Sequence, residues 1–97
     1  MREIDLAVYA DTLAGESGAL SARAERIRSR LRQAKIERRA RNDLSEATVD
    51  QLESLGLLWG TDERAAHAEL RALEESLAAL EELQAWVEAE LAVTNAA

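Results

Sequence analysis

The sequence predicts an all-α protein, an antiparallel helical hairpin of two long helices with a short helix at the turn. Three observations support this fold class. Apolar residues recur at heptad spacing over the first 40 residues, a second heptad pattern follows residue 61, and a capped short helix lies between them. The chain has no cysteine, which excludes disulfides and cysteine-based metal sites.

The first long helix is predicted from Arg2 to about Ala40. Its apolar positions form two interleaved heptad series, one of larger and one of mostly small residues. They are Leu6, Leu13, Leu20, Ile27 and Ala34, with Ala10, Ser17, Ala24 and Leu31 between them. The alternating segment from Ile4 to Tyr9 would also suit a β-strand, but no second strand is present to pair with it. We therefore predict one helix with a single apolar stripe.

The short helix is predicted between residues 46 and 55. Ser45 has the side chain of an N-cap, and Gly56 stands at the C′ position, where a left-handed residue ends many helices. Leu57 is expected to fold back on Leu52 in a Schellman ending. The short helix and Trp59 are expected to plug the turn end of the hairpin.

The second long helix is predicted to begin after Thr61 as its N-cap, with Asp62 and Glu63 in the first turn. Its apolar seam consists of Leu70, Leu73, Leu77, Leu80, Gln84, Val87 and Leu91, with Leu83 and Trp86 beside it. This seam is expected to face the first helix in an antiparallel hairpin. Residues 1–93 are thus predicted to form a single helical-hairpin domain, and residues 94–97 a frayed C-terminal tail.

Charge is distributed unevenly along the chain, whose net charge is −7. Residues 21–41 carry nine basic residues against Glu25 and Glu37, whereas residues 42–97 carry two basic residues against thirteen acidic ones. Setting Arg38 opposite Glu63 gives an antiparallel register in which facing residue numbers add to about 101, so that the basic segment lies beside acidic residues. The pattern predicts that the two charged segments pair within the chain.

The segment Gly15-Glu16-Ser17-Gly18 stands out because two glycines in a helix interior cost about 1 kcal/mol each relative to alanine. A nucleophile at Ser17 would need a strand, a sharp turn and a histidine with an acidic partner, and the chain has one histidine, His67. The register instead places Trp86 opposite Gly15. We predict that Gly15 and Gly18 form a packing notch for the Trp86 indole, and we predict no catalytic residue, metal site or cofactor.

The apolar content is rich in alanine, with twenty Ala against fifteen Leu, so the core of a single chain would be thin. Self-association would enlarge that core with apolar residues from a second chain. Because no convergent catalytic set is present, we predict a non-enzymatic helical scaffold or protein–protein interaction module. It is expected to form a homodimer through a four-helix arrangement and to bind an unidentified protein partner.

The alternative is a nucleic-acid-binding accessory module that uses the Arg-rich segment 23–41. The residues that would contact phosphates are Arg23, Arg26, Arg30, Arg38 and Arg41. The segment Leu44–Trp59 also resembles the tail of the helicase-associated domain, a small helical repeat, and this resemblance implies contact with nucleic acid. The negative net charge and the acidic helix favour the interaction module.

The sequence contains no run of 18 apolar residues and no signal-peptide h-region. A cytoplasmic protein without a membrane partner is therefore predicted. The ratio of arginine to lysine, eleven to one, is typical of a GC-rich bacterial coding sequence.

Overall fold

The computed structural model describes residues 3–96, with the side chains of residues 5–95. Within this range the regular structure is entirely helical: α1 spans Glu3–Asp43, α2 spans Glu46–Ser54 and α3 spans Glu63–Ala96. Helices α1 and α3 pack together, as a helical hairpin requires, so the all-α prediction is confirmed.

The ends of the long helices differ in detail from the predicted ones. Helix α1 continues past Ala40 to Asp43, and its predicted start at Arg2 lies outside the described residues. Helix α3 continues to Ala96, so residues 94–96 are helical where a frayed tail was expected. The Thr94 hydroxyl donates to the Glu90 carbonyl at 2.9 Å, within this last part of α3, and Ala97 lies outside the described residues.

Helix α2 has the two ends that its sequence predicts. The Thr48 N–H donates to the Ser45 hydroxyl oxygen at 3.2 Å, which satisfies one of the donors left over at a helix start. At the other end, the Leu57 N–H donates to the Leu52 carbonyl at 3.1 Å, and Gly56 has φ 71°. This is a Schellman ending with glycine at the left-handed position.

The N-cap of α3 is Asp62, and the prediction of Thr61 is wrong. The Ala65 N–H donates to the Asp62 carboxylate at 3.0 Å, and the Ala66 N–H donates to the Asp62 carbonyl at 2.9 Å. Asp and Thr both cap helices well, but a carboxylate also interacts favourably with the positive end of the helix dipole.

The chain divides into two compact units, and the first contains residues 1–24 and 71–97. Its core joins the beginning of α1 to the end of α3, because buried Leu6 and Leu13 form one cluster with buried Val87. Partly buried Ala10, Leu80, Leu83 and Leu91 pack against this cluster. Every member comes from the predicted heptad seams or, for Leu83, from beside them.

The second unit is Glu25–Leu70 and contains α2. Its buried apolar residues are Ile27, Leu31 and Ala34, all at predicted heptad positions of α1. The Arg38 guanidinium lies 3.2 Å from the Glu63 carboxylate, so the ion pair that anchored the predicted register is confirmed. Helix α2 has no buried residue, so its apolar side is only partly covered.

Glycine substitutions test the local conformations directly. Gly15 and Gly18 are helical, and a Cβ at either position would meet no atom within 4 Å apart from its chain neighbours and the nearby backbone of its own helix. We expect Gly15→Ala and Gly18→Ala each to raise the free energy of unfolding by about 0.5–1 kcal/mol, because alanine is the better helix former. Gly56→Ala, at φ 71°, should lower it by about 1 kcal/mol or more.

Urea denaturation followed by circular dichroism measures all three variants under one protocol. Destabilisation by Gly15→Ala would contradict the open environment of this glycine. A neutral Gly56→Ala would contradict the left-handed ending of α2.

Candidate interaction surfaces

The predicted notch for Trp86 is absent, and this prediction is wrong. The Trp86 side chain is 53% exposed, and no atom of it lies within 4 Å of a Cβ added at Gly15 or Gly18. Gly15 follows buried Leu13 by two residues, or about 200° around the helix, and therefore lies on the outer side of α1. The heptad pattern predicted the axial register correctly at Arg38. Two residues at the same height along the helices, however, need not have side chains that face each other.

Large apolar side chains remain exposed in both units. Among the side chains that the structure describes, the exposed ones are Val8, Tyr9, Ile36, Leu44, Leu55, Leu57, Trp59, Trp86 and Val93. The buried apolar residues are fewer, and two of the eight are alanines. Single exposed apolar residues are ordinary, but larger groups of them mark interaction sites.

In the first unit, part of this apolar surface is continuous. A groove of about 420 Å³ is lined by Leu20 of α1 and by Ala79, Leu80 and Leu83 of α3, with Glu16 and Ser76 at its edges. Trp86 follows Leu83 by three residues, and Val93 follows Trp86 by seven, so these side chains lie along one side of α3. We call Leu83, Trp86 and Val93, together with this groove, the apolar strip.

Several bases of the Arg-rich segment are paired within the second unit. Arg38 contacts Glu63, and Arg41 contacts Glu53 of α2.

Arg32 lies 2.9 Å and Arg28 lies 3.7 Å from the Glu25 carboxylate. The hydrogen bond from Arg32, and then its charge, hold the pKa of Glu25 below its ordinary value. The contacts of Arg38 and Arg41 confirm pairing between the two charged segments at these residues, whereas Glu25 belongs to the basic segment itself.

The five arginines proposed from the sequence therefore fall into two groups, those with a partner and those without one in the described part of the chain. Arg38 and Arg41 form ion pairs with carboxylates, and Arg23 also has a partner. For Arg26 and Arg30, no ion pair or hydrogen bond is found with the residues that the structure describes. They are four residues apart and share one side of α1.

Two further bases, Lys35 and Arg39, likewise have no such contact within residues 3–96. Arg39 follows Arg30 by nine residues, about two and a half turns, and so lies on the opposite side of α1. The basic segment is therefore not one continuous cationic face.

The loop between α2 and α3 is held by a residue that sequence reasoning missed. The Glu37 side chain is only 3% exposed, and its carboxylate accepts a hydrogen bond from the Trp59 backbone N–H. The sequence carried a signal for this position, because Glu37 follows buried Ala34 by three residues and so continues the buried side of α1. Gly60, at φ 64°, provides the left-handed turn directly after Trp59.

The Trp59 side chain does not plug the turn, and this expectation is wrong. It is 60% exposed and borders a cleft of about 570 Å³ in the second unit. The small or apolar residues that line the cleft are Ile27, Ala65 and Ala66, and its charged residues are Arg30, Asp62 and Glu69. The Glu37 contact fixes the backbone of Trp59, so the indole is presented at the cleft while its amide remains satisfied.

No protein-family model, no curated protein and no solved structure matches this chain. The resemblance of segment 44–59 to the helicase-associated domain is therefore without support from a family match. No helix in the described part of the chain is both long enough and apolar enough to cross a membrane. Within the same residues, no three potential metal ligands lie together.

The buried Glu37 contact can be tested by substitution. Glu37→Leu removes the acceptor and leaves the Trp59 N–H without its partner, so we expect the free energy of unfolding to fall by about 1–3 kcal/mol. Glu37→Gln keeps a side-chain oxygen acceptor and should lose less. Amide hydrogen exchange at Trp59 should become faster in Glu37→Leu.

Denaturation of both variants, with exchange measured by NMR, separates loss of the contact from a general loss of stability. Slow Trp59 exchange in folded Glu37→Leu would contradict the proposed role of the carboxylate.

Proposed function

We propose that this protein is a non-enzymatic helical interaction module that forms a homodimer through the apolar strip of its first unit. The observation that carries the proposal is that, among the side chains of residues 5–95, more large apolar ones are exposed than buried. Water contact with apolar surface costs about 25 cal/mol for each Å², and association removes that contact. Covering this surface with a second chain is the arrangement that the exposed residues support best.

The apolar strip suits a helical partner. It extends along α3 from Ser76 to Val93, which is about 25 Å of helix at 1.5 Å per residue. Its groove accepts ridges of side chains from another helix. In the proposed dimer a two-fold axis brings the same strip of each copy into contact, and a contact of this kind closes as a dimer.

Trp86 is the expected centre of this contact. Tryptophan combines a large apolar area with a polar N–H and is enriched among residues that dominate binding energy. Small Ala79 in the adjoining groove permits close approach of another helix. Binding of a different protein by the assembled dimer extends the same proposal.

The nucleic-acid alternative is less favoured. Arg38 and Arg41 hold carboxylates, and the bases without such contacts divide between two sides of α1. Binding to single- or double-stranded nucleic acid usually combines several phosphate contacts on one surface and weakens steeply with salt. An electrophoretic shift at low salt that disappears at moderate salt would restore this alternative.

Analytical ultracentrifugation tests the dimer. We expect the wild-type protein to sediment at twice the mass of one chain at micromolar concentration. Trp86→Ala should raise the dissociation constant about 30-fold, as expected for a central aromatic contact worth about 2 kcal/mol.

Val8→Ala is the matched control. Val8 is 61% exposed, and it follows buried Leu6 by two residues, which places it on the outer side of α1. This variant should dimerise like the wild type. A monomeric wild type across the concentration range, or equal weakening by both variants, would contradict dimerisation through the apolar strip.

A further inference from the structure

We propose that the cleft beside Trp59 is a second docking site, which binds an acidic amphipathic helix of a protein partner. The site lies in the second unit and is independent of the self-association proposed for the first. Its parts are an aromatic side chain, a floor of small and apolar residues, and two neighbouring guanidinium groups.

The apolar part of the site can receive one large side chain. Buried Ile27 lies at the bottom of the cleft, and the small side chains of Ala65 and Ala66 leave space above the first turns of α3. The cleft volume of about 570 Å³ exceeds that of a single side chain. The exposed indole of Trp59 forms a wall against which an apolar group from the partner can pack.

The backbone that carries this wall is fixed before any partner binds. The Glu37 carboxylate holds the Trp59 N–H, and left-handed Gly56 and Gly60 define the two ends of the loop. A partner therefore orders little new structure when it binds. Such preorganisation lowers the entropic cost of association.

Charge complementarity defines the partner. Arg30 lines the cleft, and Arg26 lies one helical turn away on the same side of α1. Neither has an ion pair or hydrogen bond within the described part of the chain. The two acidic residues of the cleft are already engaged: Asp62 caps α3, and Glu69 has a partner. Both carboxylates keep their charge, and the charged groups at the cleft that lack a partner in the described part of the chain are the two guanidinium groups.

The spacing of the two arginines favours a helix over nucleic acid. Side chains four residues apart on α1 are about 6 Å apart, which matches carboxylates at positions i and i+4 of a second helix. A nucleic acid has a phosphate at every nucleotide, so some of its phosphates would lie near Asp62 and Glu69 and be repelled by these carboxylates. A helix can place its two acidic residues at the arginines and one apolar residue in the cleft.

Isothermal titration calorimetry with a designed peptide tests this site. The probe is a helical peptide of about 16 residues made of alanine, leucine and glutamate, with one phenylalanine between glutamates at i and i+4. A matched peptide replaces each glutamate by lysine. We expect the acidic peptide to bind with a Kd on the order of 100 µM or tighter, and the lysine peptide not to bind.

Variants of the full-length protein locate the binding. Trp59→Ala should weaken binding about tenfold or more, and Arg30→Gln about threefold to tenfold. Trp59→Ala retains the backbone N–H that Glu37 holds, and circular dichroism checks that it folds. Ala65→Leu, which fills the floor of the cleft, should weaken binding without removing any charge.

Arg39→Gln is the matched control, because Arg39 is also exposed and lies on the opposite side of α1. It should bind the acidic peptide like the wild type. Repeating the titration in Trp86→Ala separates this site from dimerisation, since the site should bind equally well when the dimer is weakened.

Three results would overturn the proposal: no saturable binding up to about 1 mM, equal binding of the lysine peptide, or equal effects of Arg30→Gln and Arg39→Gln. A single-stranded oligonucleotide that binds in a Trp59- and Arg30-dependent manner, while the acidic peptide does not, would assign the cleft to nucleic acid instead.

Discussion

A pair of packed helices can bury only one stripe of each helix, and this constraint governs the protein. In the first unit the stripe is formed by Leu6, Leu13 and Val87, and in the second by Ile27, Leu31 and Ala34. Several large apolar side chains outside these stripes remain exposed in the part of the chain that the structure describes. The exposed Trp86 and Trp59 follow from the same geometry, and so do the interaction surfaces that we propose.

Most features that depend on local chemistry were predictable from the sequence, although the N-cap of α3 is Asp62 and not the predicted Thr61. Ser45 and Gly56 end α2 as predicted, because capping needs only a suitable side chain or a left-handed residue at the correct place. The buried apolar positions of α1 were also predictable, since heptad spacing defines one side of a helix. The Arg38–Glu63 contact confirmed the axial register in the second unit.

The rotation of side chains that lie beside the seam could not be predicted in the same way. The sum of residue numbers placed Gly15 opposite Trp86, but both residues lie off the buried stripe and neither provides a notch for the other. The burial of Glu37 was not predicted either. Its position places it on the buried side of α1, where its carboxylate accepts a hydrogen bond from the Trp59 N–H of the loop. Long-range contacts of this kind are set by the path of the loop, which composition does not reveal.

The dependence of thermal unfolding on protein concentration tests the central claim most directly, namely that a second copy of the chain covers the apolar strip. Unfolding that is coupled to dissociation has a midpoint that rises with concentration, because mass action stabilises the associated state. We expect the midpoint to rise by several degrees between about 1 µM and about 100 µM chain. A midpoint that stays constant over this range would contradict the account.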